Sequence, residues 1–266
     1  MKKVLYIIFV LLLTSSPAYS AKASPSSIYS KTIDYKDGNT VLEGYVAYDK
    51  SIKGKRPAVL IVHDWMGHGE FVEEKARQLA KLGYVAFAAD IYGKNIRPKN
   101  NDEAAKLAGM YKNDRNLLRR RIKTALHYLH SIQHTDPQRI AAIGYCFGGM
   151  TVLELARSGE EIAGVVSIHG SLDTPESSNS NIKTKVLVLH GADDPFTPPE
   201  IMSAFEDEMR HDSVDWQMVL YGNAVHSFTN PAAGNDNSKG VAYNEKADKR
   251  SWTALMDFFK EIFSTK

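Results

Sequence analysis

Residues 140–150 read IAAIGYCFGGM, and this stretch guides the interpretation of the rest of the chain. Its first half is a short apolar run, and its second half places Cys146 between Gly144 and Gly148. The apolar spacing that follows Met150 is typical of a helix. A strand, a sharp turn and a helix would hold Cys146 at the end of a sheet, where a strand-to-helix elbow presents a nucleophile that is usually serine.

Apolar runs alternate with helical patterns along the chain. Runs of this kind suit strands that are buried on both faces of a parallel sheet. An antiparallel hairpin with its turn at residues 37–39 is predicted at a sheet edge. The predicted strands are 31–37, 41–48, 58–62, 84–89, 139–145, 162–169, 185–189 and 216–221. The sequence therefore predicts an α/β fold with a mostly parallel central sheet that is flanked by helices on both faces.

The segments between these strands predict the flanking helices. Apolar residues recur there at helical spacing, and glycines or polar residues mark the ends. The predicted helices are 70–82, 102–111, 113–132, 198–210 and 250–263. Arg115, Arg119, Arg120 and Arg121 lie together on the third of them, where we expect a solvated face.

The N-terminus is a separate segment. Lys2 and Lys3 precede an apolar run that is too short to span a bilayer comfortably, and AYS at 18–20 is a small-x-small cleavage pattern. We expect residues 1–20 to be a secretory signal peptide, residues 21–30 a flexible lead-in and residues 31–266 a single domain. The mature protein would be secreted or periplasmic, with no stable membrane anchor. An uncleaved anchor is the alternative.

Composition limits the other function classes. The chain has 266 residues, of which 43% are hydrophobic, so a large core is possible. Without Lys2 and Lys3 the acidic and basic residues balance, which argues against a nucleic-acid partner. Cys146 is the only cysteine, so the chain forms no internal disulfide. The oligomeric state is open, and we expect a monomer.

Polar side chains follow the ends of several predicted strands, where the chemistry of such folds gathers. Cys146, Asp194 and His226 appear in the chain order nucleophile, acid, histidine, which is the order of the α/β-hydrolases. His226 is the candidate base, and Asp194 would orient its imidazole. The neighbouring Asp193 is the rival acid, but Pro195 turns the chain directly after Asp194.

Supporting groups are expected near Cys146. The backbone N–H groups of Trp65 and Phe147 are candidates for an oxyanion hole. Asp64 could hydrogen-bond the Cys146 thiol. His63 and His68 beside Asp64 fit no metal-site spacing, so we expect neither a metal nor a cofactor.

The chain resembles the dienelactone hydrolase family of α/β-hydrolases over about residues 30–265. The resemblance rests on GYCFGG at 144–149, HGADDP at 190–195, HSF at 226–228 and the stretch 243–252. It implies hydrolysis of esters or lactones by a Cys-His-Asp triad through an acyl-enzyme, with an acidic residue at Asp64 holding the resting cysteine. The enzyme that names the family has Glu at that place.

The resemblance says less about the substrate. Two arginines grip the substrate carboxylate in the enzyme that names the family, and this chain has Lys94 and Asn230 near the matching places, which would make a weaker clamp. Tyr92 is a third candidate for substrate binding. We expect a small ester or lactone as substrate. A catalytically idle binding scaffold, an acyl transferase and a peptidase on the same fold are the alternatives.

Overall fold

The computed structural model describes residues 27–173 and 181–264. The predicted signal peptide and residues 21–26 of the lead-in lie outside the described residues. Within the described ranges the fold contains eight strands and six α-helices. The strands are Ile28–Asp37 (β1), Thr40–Asp49 (β2), Arg56–Val62 (β3), Val85–Ala89 (β4), Thr135–Tyr145 (β5), Gly164–Ile168 (β6), Lys185–Gly191 (β7) and Trp216–Tyr221 (β8). The helices are Glu70–Lys81 (α1), Asn101–Asn113 (α2), Arg115–Ser131 (α3), Phe147–Arg157 (α4), Pro199–His211 (α5) and Glu245–Phe263 (α6).

The strands form one sheet in the order β1-β2-β4-β3-β5-β6-β7-β8. β1 pairs antiparallel with β2, β2 pairs antiparallel with β4, and the remaining neighbours are parallel. The mostly parallel sheet predicted from the apolar runs is therefore confirmed. Because β3, β5, β6, β7 and β8 run in one direction, their carboxyl ends meet along one edge of the sheet.

Apolar side chains cover both faces of the sheet. On one face, residues of α3, α4 and α5 pack against alternate residues of the strands, for example Leu126, Leu153 and Phe205. On the other face, α1 and α6 do the same with Leu79 and Phe259. Burial on both faces explains why the central strands are near-continuous apolar runs.

Several element boundaries differ from the sequence-based prediction, and the starts of β1 and α6 are two of them. β1 begins at Ile28, so residues 28–30 belong to a strand and not to a flexible lead-in; Ile28 pairs with Asp49, and the rings of Tyr29 and Tyr48 lie 4.9 Å apart. α6 begins at Glu245, five residues before the predicted start, because the side chain of Asn244 accepts the N–H of Ala247 and caps the helix. None of the helices within the described ranges is long and apolar enough to cross a membrane.

Candidate active site

Cys146 lies in the sharp turn between β5 and α4. Its φ of 55° and ψ of −113° are rare for a residue with a side chain. A Cβ at Gly144 would lie 2.0 Å from the carbonyl oxygen of Gly148, and a Cβ at Gly148 would lie 2.4 Å from the carbonyl oxygen of Val62. The two glycines flanking Cys146 therefore let the first turn of α4 approach β5 and β3 closely enough to form the elbow.

The structure brings Cys146, His226 and Asp194 into one hydrogen-bonded chain. Sγ of Cys146 lies 3.0 Å from Nε2 of His226, and Nδ1 of His226 lies 2.8 Å from Oδ2 of Asp194. The three residues follow β5, β8 and β7, whose carboxyl ends meet at the same edge. Asp194 is buried and His226 is largely buried. A buried carboxylate bonded to Nδ1 leaves Nε2 to exchange a proton with the thiol.

The electrostatics of His226 follow from these neighbours. Burial opposes the charged imidazolium, but the negative charges of Cys146 and Asp194 and the hydrogen bonds to both outweigh it and raise the pKa of His226 to about 10. The imidazolium form is therefore stable beside a sulfur anion, which suits a group that takes the thiol proton.

Asp194, and not Asp193, meets the histidine. Oδ1 of Asp194 accepts the N–H of Phe196 at 2.9 Å, which turns its other oxygen toward His226. The ring of buried His190 lies 3.5 Å from the same oxygen. Asp193 is exposed, and its backbone N–H donates to the carbonyl of Ala224.

Trp65 and Phe147 both lie beside the cysteine, since they line a cavity together with Cys146. Phe147 is the first residue of α4, where backbone N–H groups have no partner within the helix. Trp65 follows β3, and its carbonyl accepts the hydroxyl of Tyr92 at 3.1 Å. Tyr92 is buried and lines neither cavity beside the cysteine. Its side chain therefore holds the loop of Trp65 and does not line either cavity in which a substrate contact was predicted.

Asp64 is not bonded to the thiol. Among the described hydrogen bonds, Oδ1 of Asp64 accepts the N–H of Met66 at 2.8 Å, while the thiol pairs with His226. Burial raises the pKa of Asp64, against the opposing effects of the Met66 N–H and the charge of His226. The short side chain of Asp64 closes a turn within its own loop. The expected hydrogen bond between Asp64 and the thiol is therefore not formed.

Two cavities meet at Trp65, Cys146 and His226. One has a volume of about 230 Å³ and the other about 270 Å³. We call the first cavity the loop arm; it is also lined by Phe196, Ser227 and Val241. We call the second cavity the α2 arm; it is also lined by Ala105, Ala108, Gly109, Lys112, Phe147, Met150 and Ser171. The thiol therefore lies between two mostly apolar arms.

Lys94 and Asn230 lie outside both arms. The ammonium of Lys94 pairs with Asp34 on the edge strand β1. The side chain of Asn230 accepts the N–H of Ala232 and caps a short 3-10 helix. Both side chains are used locally, so the structure does not place them where a substrate carboxylate would reach the cysteine.

Several residues around the cysteine were not among those predicted from the sequence. Phe196 is 60% exposed, and its ring stands edge-on to His226 with 5.3 Å between the centroids. His169 follows β6, and its ring accepts a hydrogen bond from the backbone of Cys146. Its position at the end of a predicted strand was the sequence signal for a site residue. Of the histidines near Asp64, His63 uses both ring nitrogens in hydrogen bonds, to the carbonyl of Asp64 and the N–H of Ile91.

This fold, with a thiol, an imidazole and a carboxylate at the carboxyl ends of its strands, defines an α/β-hydrolase. Residues 42–263 match the dienelactone hydrolase family, to which the chain therefore belongs. The resemblance read from the sequence is confirmed, and with it membership of a family of ester- and lactone-hydrolysing enzymes.

Known relatives agree in sequence and shape. A protein from Aquifex aeolicus assigned as a carboxymethylenebutenolidase is 24% identical over 233 residues, which cover 86% of this chain and 96% of that protein. The solved structure of a dienelactone hydrolase-like promiscuous phosphotriesterase from metagenomic libraries is 40% identical, with a TM-score of 0.85, and covers 90% of this chain and all of that one. A dienelactone hydrolase from Anabaena variabilis, at 19% identity and a TM-score of 0.66, also covers 90% of this chain and all of that one, and shows the same fold.

Proposed function

We propose that this enzyme hydrolyses carboxylic esters or lactones through a covalent acyl-enzyme on Cys146. The observation that carries the proposal is the pair of hydrogen bonds from Cys146 to His226 and from His226 to Asp194. His226 takes the thiol proton, and the thiolate attacks the ester carbonyl. His226 then gives the proton to the departing alkoxide, which leaves a thioester on Cys146.

Hydrolysis of the thioester completes the cycle. A water molecule loses a proton to Nε2 of His226 and attacks the thioester carbonyl, and the thiol leaves with that proton. Both tetrahedral intermediates carry an oxyanion, for which the N–H groups of Trp65 and Phe147 are the donors we assign. Asp194 keeps the proton of the neutral imidazole on Nδ1, so that Nε2 faces the sulfur in each step.

The two arms support an uncharged substrate with apolar groups on both sides of the reacting carbonyl. Apolar side chains dominate both linings, and Lys112 is the one charged side chain apart from His226 among them. Its ammonium lies 3.4 Å from Asp173, which also pairs with Arg115. A carboxylate on the substrate would meet no pair of arginines in either arm.

The test is the variant Cys146→Ala. We expect it to lose p-nitrophenyl butyrate turnover by at least about a thousandfold, with an unchanged circular dichroism spectrum. Acid quenching of wild type during turnover should trap an added butyryl mass on the peptide that contains Cys146. Wild-type turnover in the alanine variant would refute the proposal, because the thiol would then have no catalytic part. Absence of turnover by wild type itself would instead favour a catalytically idle scaffold.

A second candidate function is hydrolysis of uncharged phosphotriesters. It is favoured by the 40% identical solved structure, whose name describes a promiscuous phosphotriesterase. A neutral triester also has apolar groups on several sides of the reacting atom, which suits the two arms. Release of p-nitrophenol from paraoxon by wild type, and its loss in Cys146→Ala, would support this activity. Turnover of esters without any of paraoxon would exclude it.

We also propose that residues 1–20 are a secretory signal peptide, on the grounds of Lys2, Lys3, the apolar run and the cleavage pattern at 18–20. Expression of the full chain in a bacterium with fractionation tests this. A periplasmic product that begins at Ala21 by N-terminal mass spectrometry is expected, and a full-length membrane-bound product would instead indicate a retained anchor.

A further inference from the structure

His169 is a buried histidine that the proposed chemistry does not use. It directly follows β6, and its φ of 42° lies in the left-handed region that side chains rarely adopt. The backbone beside it is tightly packed, because a Cβ at Gly170 would lie 2.7 Å from Cα of Gly149 in the first helical turn after the cysteine. A strained residue that the surrounding packing fixes is a common mark of a functional site.

Both ring nitrogens of His169 are engaged. Nδ1 lies 3.1 Å from the backbone nitrogen of Cys146, and Nε2 lies 2.8 Å from the hydroxyl oxygen of Thr229. The backbone N–H of Cys146 is a donor that is shared between Nδ1 of His169 and the carbonyl of Ile168, at 3.1 and 3.0 Å. Nδ1 is therefore an acceptor, and the ring proton lies on Nε2, from which it is donated to Thr229. The ring thus joins the turn that carries Cys146 to the loop that carries His226.

The neutral ring is the form that makes both contacts. Burial, and after it the positive charges of His226, His190 and Lys75, hold the pKa of His169 well below its ordinary value. The ring of Tyr145 also faces it, at 6.0 Å between the centroids. His169 therefore keeps its acceptor nitrogen when His226 becomes an imidazolium during turnover.

We propose that His169 is a positioning residue that sets the distance between the Cys146 thiol and the His226 imidazole by joining the two segments that carry them. The segment that carries His226 has further anchors. The backbone N–H of His226 donates to the carbonyl of Gly240, and the carbonyl of His226 accepts the N–H of Ala242. These anchors join it to the chain that follows. His169 adds a hydrogen-bonded link from this segment across to the cysteine turn, with its ring centroid 5.4 Å from that of His226.

The inference rests on the proposed function, because the distance matters only if the thiol and the imidazole react together. Displacing one reacting group by about 1 Å from its position for attack lowers the rate of the chemical step roughly a hundredfold. Loss of the link should therefore lower kcat by about 10- to 100-fold, while KM stays close to wild type because the two arms are unchanged.

Thr229→Val tests the link without leaving a cavity, because valine has the shape of threonine and carries a methyl group in place of the hydroxyl. Thr229→Ser keeps the hydroxyl and should restore kcat. The matched control is Thr184→Val, since Thr184 is also buried and its hydroxyl donates to Ile162 at 2.7 Å, at the opposite end of the strands. Kinetics with p-nitrophenyl butyrate and the melting temperature are measured for all three.

His169→Asn is the second variant. Asparagine tolerates the left-handed backbone and keeps an acceptor near the Cys146 N–H, but its side chain is too short to reach Thr229. We expect a loss of kcat similar to that of Thr229→Val. Full activity in His169→Asn, or equal kcat in Thr229→Val and Thr184→Val, would overturn the positioning role.

Alkylation of Cys146 by iodoacetamide gives a readout that needs no substrate. The pH profile of its rate reports how closely the thiol pairs with His226, and a purely structural hydroxyl would leave the profile unchanged. We expect it to shift in Thr229→Val and in His169→Asn, and not in Thr229→Ser or Thr184→Val. An unshifted profile in both link variants would refute the inference even if Cys146→Ala is inactive, whereas wild-type turnover in Cys146→Ala would refute the proposed function on which the inference rests.

Discussion

Oδ2 of Asp194 lies 2.8 Å from Nδ1 of His226, although 32 residues separate them in the chain. The adjacent carboxylate of Asp193 is exposed to solvent and takes no part in this contact. Two aspartates that are neighbours in sequence thus have different environments, and they provide a matched pair for measuring what the contact contributes.

The first prediction concerns this pair. Asp194→Asn should lower kcat by about 10²- to 10⁴-fold, because an amide at that position favours the wrong tautomer of His226. Asp193→Asn should stay within about twofold of wild type. Steady-state kinetics with p-nitrophenyl butyrate measure both. Equal losses in the two variants would show that Asp194 has no special part in orienting the histidine.

The second prediction concerns the elbow. In Gly144→Ala the new Cβ meets the backbone carbonyl of Gly148 at 2.0 Å, and no side-chain rotation relieves that clash. The variant should lose at least about 3 kcal/mol of unfolding free energy or fail to fold. Gly222→Ala is the control, because a Cβ there meets nothing within 4 Å. Urea unfolding compares them, and equal midpoints would contradict the steric account.

The location of the candidate site could be predicted from sequence because topology determines it. Once the apolar runs are assigned to parallel strands, residues that follow those strands must gather at one edge, and Cys146, Asp194 and His226 do. The direction of each side chain could not be predicted in this way. Lys94 follows β4 as expected, yet its side chain turns to Asp34 on the edge hairpin. His169 gains its contacts only because the turn after β6 packs against the start of α4.

The solvated arginine face predicted on α3 is wrong in part. Arg115 and Arg119 reach across to Glu154, which is fully buried on α4 and also pairs with buried Arg157. Arg121 is buried beside Asp37. Helical periodicity separates polar from apolar faces, but it cannot show that two helices bury a charged cluster between them.

The third prediction follows from that cluster. Glu154→Gln keeps the shape but removes a buried negative charge that three arginines share, so it should lower the unfolding free energy by about 3 kcal/mol. Glu245→Gln removes a carboxylate from an exposed pair with Lys249 and should leave stability unchanged within error. Chemical denaturation measures both. Equal stability of the two variants would mean that the cluster contributes little.

The fourth prediction concerns pH. The pKa of His226 is about 10 in the folded protein, above its ordinary value of 6.5, so the folded state holds an extra proton between these two values. The stabilisation from His226 is therefore complete below about pH 6.5 and is lost as the pH rises through about 10. Unfolding free energies of wild type and His226→Gln should converge over this interval. A difference that grows with pH would contradict the assigned pairing.

The fifth prediction concerns the α2 arm. Ala108→Phe should fill part of this cavity, whereas Lys106→Phe places the same ring on the exposed side of the same helix. If one apolar group of the ester occupies the arm, Ala108→Phe should lower kcat/KM for p-nitrophenyl octanoate at least about tenfold more than for the acetate. The ratio for Lys106→Phe should match wild type. An unchanged ratio in Ala108→Phe would place the chain of the substrate in the loop arm, where Phe196→Ala would then be the variant that alters chain-length selectivity.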